Sequence, residues 1–278
     1  MAIMKAVRIH RYGGPEVLIC ENAPIPSISD DEALVRVHAA GVNPVDWKIR
    51  EGYLQSMLTY SFPLVIGWDL SGVVDRVGSR VTHLKPGDAV YSRPDIARDG
   101  AYAQYIAVRA SELAHKPASL DDVHAAAVPL AALTAWQSLF DAASLSPGQT
   151  VLIHAAAGGV GSFAVQLAKW KGARVIGTAS ARNAEFLHNL GADQVIDYTI
   201  EHFDAVLHDV DVVFDTIGNE TQRRSWRVLK PGGVLVSIIS PPTARGSRRP
   251  PCPWCLCLHT TQCRPTNPTG PAHRSRPR

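Results

Sequence analysis

The sequence predicts an α/β protein in which a β-rich N-terminal domain precedes a doubly wound parallel sheet. Three observations carry the prediction. The first 120 residues hold short alternating segments separated by turn signals. Residues 150–171 read as an apolar strand, a glycine turn and a helix. From residue 174 to 239, apolar strands and helical stretches alternate, as βαβ units do.

In the first region, Lys5 to His10, Ala33 to His38 and Ser71 to Val77 alternate in polarity. Gly13-Gly14-Pro15 and Lys85-Pro86-Gly87-Asp88 punctuate them, which fits an antiparallel domain over residues 1–120. A long helical pattern follows from Asp121 to Ala143, kinked or broken at Pro129 because proline lacks the N–H a helix needs. Residues 121–244 then read as a nucleotide-binding domain. Val151, Leu152 and Ile153 form the continuous apolar run of a buried parallel strand. After the turn, Val160, Phe163, Ala164 and Leu167 share one helical face. Further on, 182–190 reads as helix ending at Gly191, 194–196 as strand and 200–208 as helix. Val212 to Phe214 is a buried strand, 219–229 a helix, Pro231-Gly232-Gly233 a turn and 234–239 a last apolar strand.

The turn Ala156-Ala157-Gly158-Gly159-Val160-Gly161 has small residues where a dinucleotide fold must turn sharply, admit a pyrophosphate and pack helix against strand. A helix that starts there aims free N–H groups and its positive dipole end at the phosphates. Ala157, Gly158, Gly159, Val160 and Gly161 are therefore candidate cofactor contacts. No acidic residue occurs between Gly161 and Glu185, where an NAD-selective fold places one on the ribose. Ser180 and Arg182 suit a 2′-phosphate, so NADP is expected; a solvated helix residue is the alternative role for Arg182. Because ligands lie off the carboxyl ends of parallel strands, Thr216, Gly218 and Ser237 fall on the cofactor rim, with ordinary loop chemistry as their alternative.

Composition bounds the rest. The 278 residues are 46% hydrophobic, enough for two ordinary cores. Lys5, Arg8 and Arg11 interrupt any signal-peptide core, and Pro147-Gly148 and Gly158-Gly159 break the uncharged run 142–168 that would otherwise suggest a membrane span. A soluble cytoplasmic protein is expected, with no membrane or nucleic-acid partner. The formal net charge of +3 hides a split: residues 245–278 carry seven Arg and no acid, so the remainder holds 21 basic against 25 acidic residues. That tail also holds seven Pro and four of the five Cys. Cys252, Cys255, Cys257, Cys263 and His259 lack the paired Cys-x-x-Cys spacing of a zinc ribbon, so no metal is expected and the tail is read as an aberrant, disordered extension.

Four stretches together carry a family resemblance: Ala40 to Gly52 (Ala-Gly-Val-Asn-Pro-Val-Asp-Trp-Lys-Ile-Arg-Glu-Gly), Gly67 to Gly72 (Gly-Trp-Asp-Leu-Ser-Gly), Pro129 to Trp136, and the glycine turn. The chain over residues 1 to about 243 resembles the zinc-independent, quinone-oxidoreductase-like branch of the medium-chain dehydrogenases/reductases. The resemblance implies a GroES-like β domain and a Rossmann domain with the active cleft between them. It also implies use of NADPH to reduce quinones or polarised carbon–carbon double bonds such as those of enones. Zinc-dependent relatives carry a Cys where this chain has Asn43, a His where it has Trp68 and a third ligand near Leu130. These three residues supply neither thiolate nor imidazole, so zinc catalysis is not expected.

Without a metal, the protein's part in hydride transfer is to position the ring, exclude water and stabilise the developing oxygen charge. Asn43 is the candidate polar group beside nicotinamide and substrate; a turn residue before Pro44 is its alternative role. Lys48 and Tyr53 are candidate proton or hydrogen-bond donors. Asp46 and Arg50 match family positions but suit a structural ion pair equally well. Thr134 resembles the family's cofactor-pocket threonine, with back-bonding within its helix as the rival role. Tyr198 resembles a residue that flanks the adenosine phosphate, or is a surface aromatic at a strand end. Relatives continue past Ser237 with a last strand and helix and then close the first domain. Nothing after about Ala244 resembles that region, which points to a frameshifted or truncated terminus, an incomplete sheet with an exposed edge and a family-like homodimer in doubt. An NADPH-binding protein with little turnover, or a non-functional product, is the alternative reading.

Overall fold

A computed structural model describes residues 2–242 and the backbone of residues 259–262. The chain divides into two compact units, Met1–Ala131 and Ala132–Arg278. The first runs β1 (Ile3–Ile9), β2 (Ile19–Pro24), β3 (Glu32–Ala40), α1 (Pro44–Arg50), β4 (Leu64–Val65), β5 (Leu70–Val77), β6 (Ala89–Ser92), β7 (Tyr105–Arg109), β8 (Leu113–His115) and α2 (Asp122–Ala126). β1 sits between β2 and β4, both antiparallel to it. The other five strands form an antiparallel sheet in the order β7-β3-β5-β6-β8. Ala33, Val35, Leu70, Val74, Val90, Ile106 and Val108 pack as its core. Alternation along β3 and β7 sends these side chains inward, as the pleat requires.

α3 (Pro129–Trp136) spans the boundary in sequence. The second unit continues with β9 (Thr150–Ile153), α4 (Gly159–Trp170), β10 (Arg174–Ala179), α5 (Ala184–Asn189), β11 (Gln194–Asp197), α6 (Phe203–Val206), β12 (Val210–Asp215), α7 (Asn219–Ser225), β13 (Leu229–Ser237) and β14 (His259–Gln262). Its sheet has the order β11-β10-β9-β12-β13-β14, and the first five are parallel. Val151, Ile153, Val175, Val212, Phe214 and Val236 belong to one core. Leu152, Ile176, Ile196, Val213 and Leu235 belong to another, on the opposite face. A sheet buried on both faces explains why these strands read as continuous apolar runs. The strand order reverses between β9 and β12, which opens the crevice where such sheets take ligands.

The pattern 121–143 is broken at Pro129, one of the two outcomes expected there, because the proline ring disfavours a helical residue ahead of it. Several other local expectations are corrected. After α3 the pattern widens into a π-helical segment, Gln137–Ala142. There the Ala143 N–H reaches the Ser138 carbonyl at 3.1 Å. The helix read over 200–208 shrinks to the single turn of α6, because only Phe203 in it is buried. α7 ends at Ser225 instead of 229, since a tighter turn from Arg224 to Val228 delivers Val228 and Leu229 to the core. Pro231-Gly232-Gly233 is a bulge within β13: the register against β12 passes from Val210↔Leu229 to Val212↔Val234.

The tail differs from expectation at four residues. β14 lies antiparallel on β13, from Ser237↔His259 to Val234↔Gln262, along the edge that was expected to stand open. Pairing there satisfies backbone groups that an apolar edge strand would otherwise present to solvent. Cys252, Cys255, Cys257 and Cys263 lie outside the described residues. Among the described residues, no helix is long and apolar enough to cross a membrane.

Candidate cofactor and substrate sites

β9 ends at Ile153, and residues 154–157 turn the chain into α4. Thr178 on the neighbouring strand holds the turn: its carbonyl accepts the Ala156 N–H at 3.0 Å and its hydroxyl accepts the Ala155 N–H at 3.2 Å. Gly158 is the N-cap, and the first helical bond runs from the Ser162 N–H to the Gly158 carbonyl at 2.8 Å. The N–H groups of Gly159, Val160 and Gly161 precede that bond and have no acceptor within their own helix. The first turn of α4 carries no acid. Space divides the glycines by role. A Cβ at Gly159 would meet nothing within 4 Å, whereas at Gly161 it would stand 2.4 Å from the Ala155 carbonyl oxygen. Gly159 thus leaves an open face, a Cβ at Gly158 would stand 3.2 Å from the Ala155 carbonyl oxygen, and Gly161 lets α4 seat on the turn.

Ala179 and Asp197 are register partners at the ends of β10 and β11, so Ser180 and Tyr198 directly follow paired strand ends, and Arg182 lies in the 3-10 turn after Ser180. Arg182 and Tyr198 are exposed. Ser180 accepts a hydrogen bond from the Asn183 amide at 3.3 Å. The structure also brings in an acid that lies later in sequence: Asp197 accepts the Ala181 N–H at 3.1 Å, the Thr199 N–H at 2.9 Å and the Thr199 hydroxyl at 2.7 Å. These donors, the Thr199 hydroxyl foremost, hold its carboxyl below the usual range.

At the ends of β12 and β13, the rim residues are tied inward. The Thr216 hydroxyl donates to the His154 carbonyl at 2.7 Å. Asp215, fully buried, accepts from Ile217 N–H (3.0 Å), Gly218 N–H (2.8 Å), Gln222 Nε2 (3.1 Å) and the Ser237 hydroxyl (2.9 Å). Ser237 is itself fully buried, so its hydroxyl serves Asp215 and fixes the turn 215–218. Beside them, the His154 ring bridges Thr178 and Ser225, and burial pushes its pKa down to about 4. Thr134 is half-buried, and its carbonyl accepts the Ser138 hydroxyl at 2.6 Å.

In the first unit, Asn43 is the N-cap of α1, with Pro44 at the first helical position. Two buried carboxylates hold it. Asp46 Oδ2 accepts its backbone N–H at 2.7 Å, and Asp69 Oδ2 accepts from its carboxamide Nδ2 at 3.1 Å. Asp46 also accepts the Tyr102 hydroxyl at 2.9 Å, while its Oδ1 is buried without a partner. Burial raises the pKa of Asp46, and burial with the nearby Asp46 charge lifts Asp69 to about 7. The suggested Asp46–Arg50 ion pair is absent: Arg50 pairs with Glu51 and donates to the Gly13 carbonyl at 3.2 Å. Asp46 is buried and takes its hydrogen bonds from the Asn43 backbone N–H and the Tyr102 phenol instead. Lys48 is half-buried, and Tyr53 is exposed with its ring edge-to-face on Trp47, centroids 5.6 Å apart. Trp68 is fully buried and donates Nε1–H to the Arg98 carbonyl at 3.1 Å, and the Leu130 N–H donates to Asp69 Oδ1 at 3.1 Å. Asp69 and Tyr102 had no role assigned from sequence. The available signal was Asp69 itself, the single charge in the otherwise uncharged run 64–74.

Comparison with known proteins agrees with this architecture. Residues 29–118 match the alcohol dehydrogenase GroES-like domain, and residues 159–245 match the zinc-binding dehydrogenase family. A 2-methylene-furan-3-one reductase of Solanum lycopersicum is 41% identical over 256 residues, covering 87% of this chain and 64% of that protein. The quinone oxidoreductase of Coxiella burnetii superposes with a TM-score of 0.81 at 39% identity, over 88% of this chain and 78% of that one. Escherichia coli quinone oxidoreductase, solved in complex with NADPH, gives 0.74 at 34% identity over 84% and 72%. The chain spans about two thirds of the length of the curated relatives it matches, 68% and 64% for two of them. Two matched domains in order, with more than 30% identity over most of a solved relative, place the chain in the medium-chain dehydrogenase/reductase superfamily of oxidoreductases.

Proposed function

We propose that this chain is an NADPH-dependent oxidoreductase that reduces quinones or the activated double bond of enones without zinc. The observation that carries the reading is the open, acid-free start of α4, with Ser180, Arg182 and Tyr198 gathered at the adjoining strand ends. Free helix N–H groups suit a pyrophosphate, and a guanidinium beside a hydroxyl suits a 2′-phosphate. Ala157, Gly158, Gly159, Val160 and Gly161 would hold the phosphates, with Thr216 and Gly218 on the turn that Asp215 braces. The bound nicotinamide supplies the hydride. Asn43 offers the polar group of the substrate side, and Lys48 and Tyr53 are the candidate proton donors. The similar proteins, a 2-methylene-furan-3-one reductase and quinone oxidoreductases, support the same substrate classes. Asn43, Trp68 and Leu130 offer no thiolate or imidazole, which supports zinc-free chemistry.

The test joins binding to turnover. NADPH at about a hundredfold its dissociation constant should stabilise the fold by roughly 2.7 kcal/mol in a melting experiment, and NADH by much less. Steady oxidation of NADPH by a quinone or an enone, reduced in Asn43→Ala, completes the expected result. A melt indifferent to NADPH, together with no oxidation, would overturn the reading.

A further inference from the structure

We infer that Asp69 is the positioning residue for Asn43: its ionised carboxylate fixes which end of the Asn43 carboxamide faces a ligand. The catalytic consequence rests on the reading of Asn43 given above; the positioning itself rests on geometry. Asp69 is held at three points. Its backbone carbonyl accepts the Gly41 N–H at 2.9 Å, Oδ1 accepts the Leu130 N–H at 3.1 Å and Oδ2 accepts from Asn43 Nδ2 at 3.1 Å. Gly41 packs against it so tightly that a Cβ there would stand 2.6 Å from the Ala126 carbonyl and 2.9 Å from the Asp69 Cβ. The Asn43 backbone is pinned separately by Asp46. Asn43 and Asp46 form a capping box at the start of α1, and the contact with Asp69 sets the sense of the carboxamide, which a half-turn would reverse by exchanging Oδ1 for Nδ2.

An ionised Asp69 accepts only, so Nδ2 must face it and Oδ1 is presented away as an acceptor. A protonated Asp69 carries a donor, which permits the reverse orientation with Oδ1 toward the acid. Both states are reachable because burial and the Asp46 carboxylate hold Asp69 near neutrality. The groups facing it are Asp46 on α1, whose charge opposes ionisation, Arg93 after β6, which favours it, the Leu130 N–H at the start of α3, and Tyr102, whose hydroxyl is committed to Asp46.

The experiment is a pH titration of the Asn43 side-chain amide by NMR, the signal being identified by its loss in Asn43→Ala. The expected result is an inflection within about one unit of pH 7, abolished in Asp69→Asn. Turnover with NADPH should rise through the same pH in the wild type. In Asp69→Asn it should fall about tenfold with KM for NADPH unchanged and lose that inflection. A flat Asn43 signal in the wild type overturns the inference even if NADPH is oxidised. A titrating signal without NADPH oxidation upholds the positioning and sinks the functional reading instead. An Asp69→Asn enzyme with unaltered kcat and pH profile also overturns it, and the wild-type titration decides the matter if that variant does not fold.

Discussion

Two alanine substitutions two residues apart should behave in opposite ways if the start of α4 holds phosphates. At Gly161 an added methyl would lie 2.4 Å from the Ala155 carbonyl oxygen and 2.7 Å from that of Ala156, both backbone atoms that cannot swing aside. Overpacking of this kind costs about 3 kcal/mol, the upper part of its usual range. At roughly 2–4 °C per kcal/mol for a chain of this size, Gly161→Ala should melt about 6–12 °C lower. At Gly159 the same methyl meets nothing within 4 Å. Replacing a helical glycine there is neutral or stabilising by up to about 1 kcal/mol. The methyl nonetheless stands on the open face where a phosphate would approach, so NADPH affinity should drop at least about tenfold, or 1.4 kcal/mol. Melting curves of both variants, with and without NADPH, separate the two effects. A Gly159→Ala protein that keeps the full NADPH shift would refute the helix start as the phosphate site. A Gly161→Ala protein that melts like wild type would refute the packing argument.

Arg182→Ala should weaken NADPH about tenfold and NADH little, the difference reporting the 2′-phosphate; equal losses for both would remove Arg182 from that role. His154 has a folded pKa of about 4 against 6.5 when free, so between these values the unfolded chain holds the extra proton. Stability is therefore lost as pH falls through this window, by up to about 3 kcal/mol, and denaturant midpoints at either end should show a shallower loss in His154→Gln. Asp69 works in the other direction. Its folded pKa of about 7 lies above its free value of 3.8, so its stabilising contribution is lost as pH rises from about 4 to about 7, about 4 kcal/mol in all. Asp69→Asn should remove that slope between about pH 4 and 7, and an unchanged slope would count against the assigned burial cost. Phe214→Ala, at a fully buried position in the central strand, should cost about 3–5 kcal/mol in urea unfolding; a loss under about 1 kcal/mol would contradict the close packing around it.

What could be read ahead of the structure follows from the range of the interactions involved. β9 and α4 are specified within about twenty residues, by Val151 to Ile153 and by Gly158 to Gly161, so strand, turn and helix were all legible. In the middle helix the break was legible from Pro129, but the π-helical widening at Gln137 was not, since no residue there declares it. The Pro231–Gly233 segment carries a turn signature and makes a bulge, since β12 is already alongside to accept the resumed register. Asp197 escaped notice for the same reason. It lies sixteen residues from Ala181 in sequence, and only the pairing of β10 with β11 brings its carboxylate to the Ala181 N–H.

The two ends of the proposed reaction are built from different materials, and this decides which of them a motif can reveal. The phosphate end relies on backbone: N–H groups freed by a helix start and room left by missing side chains. Only glycine supplies that room, so the residue type declares the function. On the proposed reading, the substrate end rests on a side chain, Asn43, whose partners lie 26 residues away at Asp69 and 59 away at Tyr102 through Asp46. An asparagine before a proline is unremarkable in itself. Its significance comes from the two buried carboxylates beside it, whose pKa values burial raises because a charge is costly there. Retaining both beside one carboxamide is the physical ground for seeking the chemistry there.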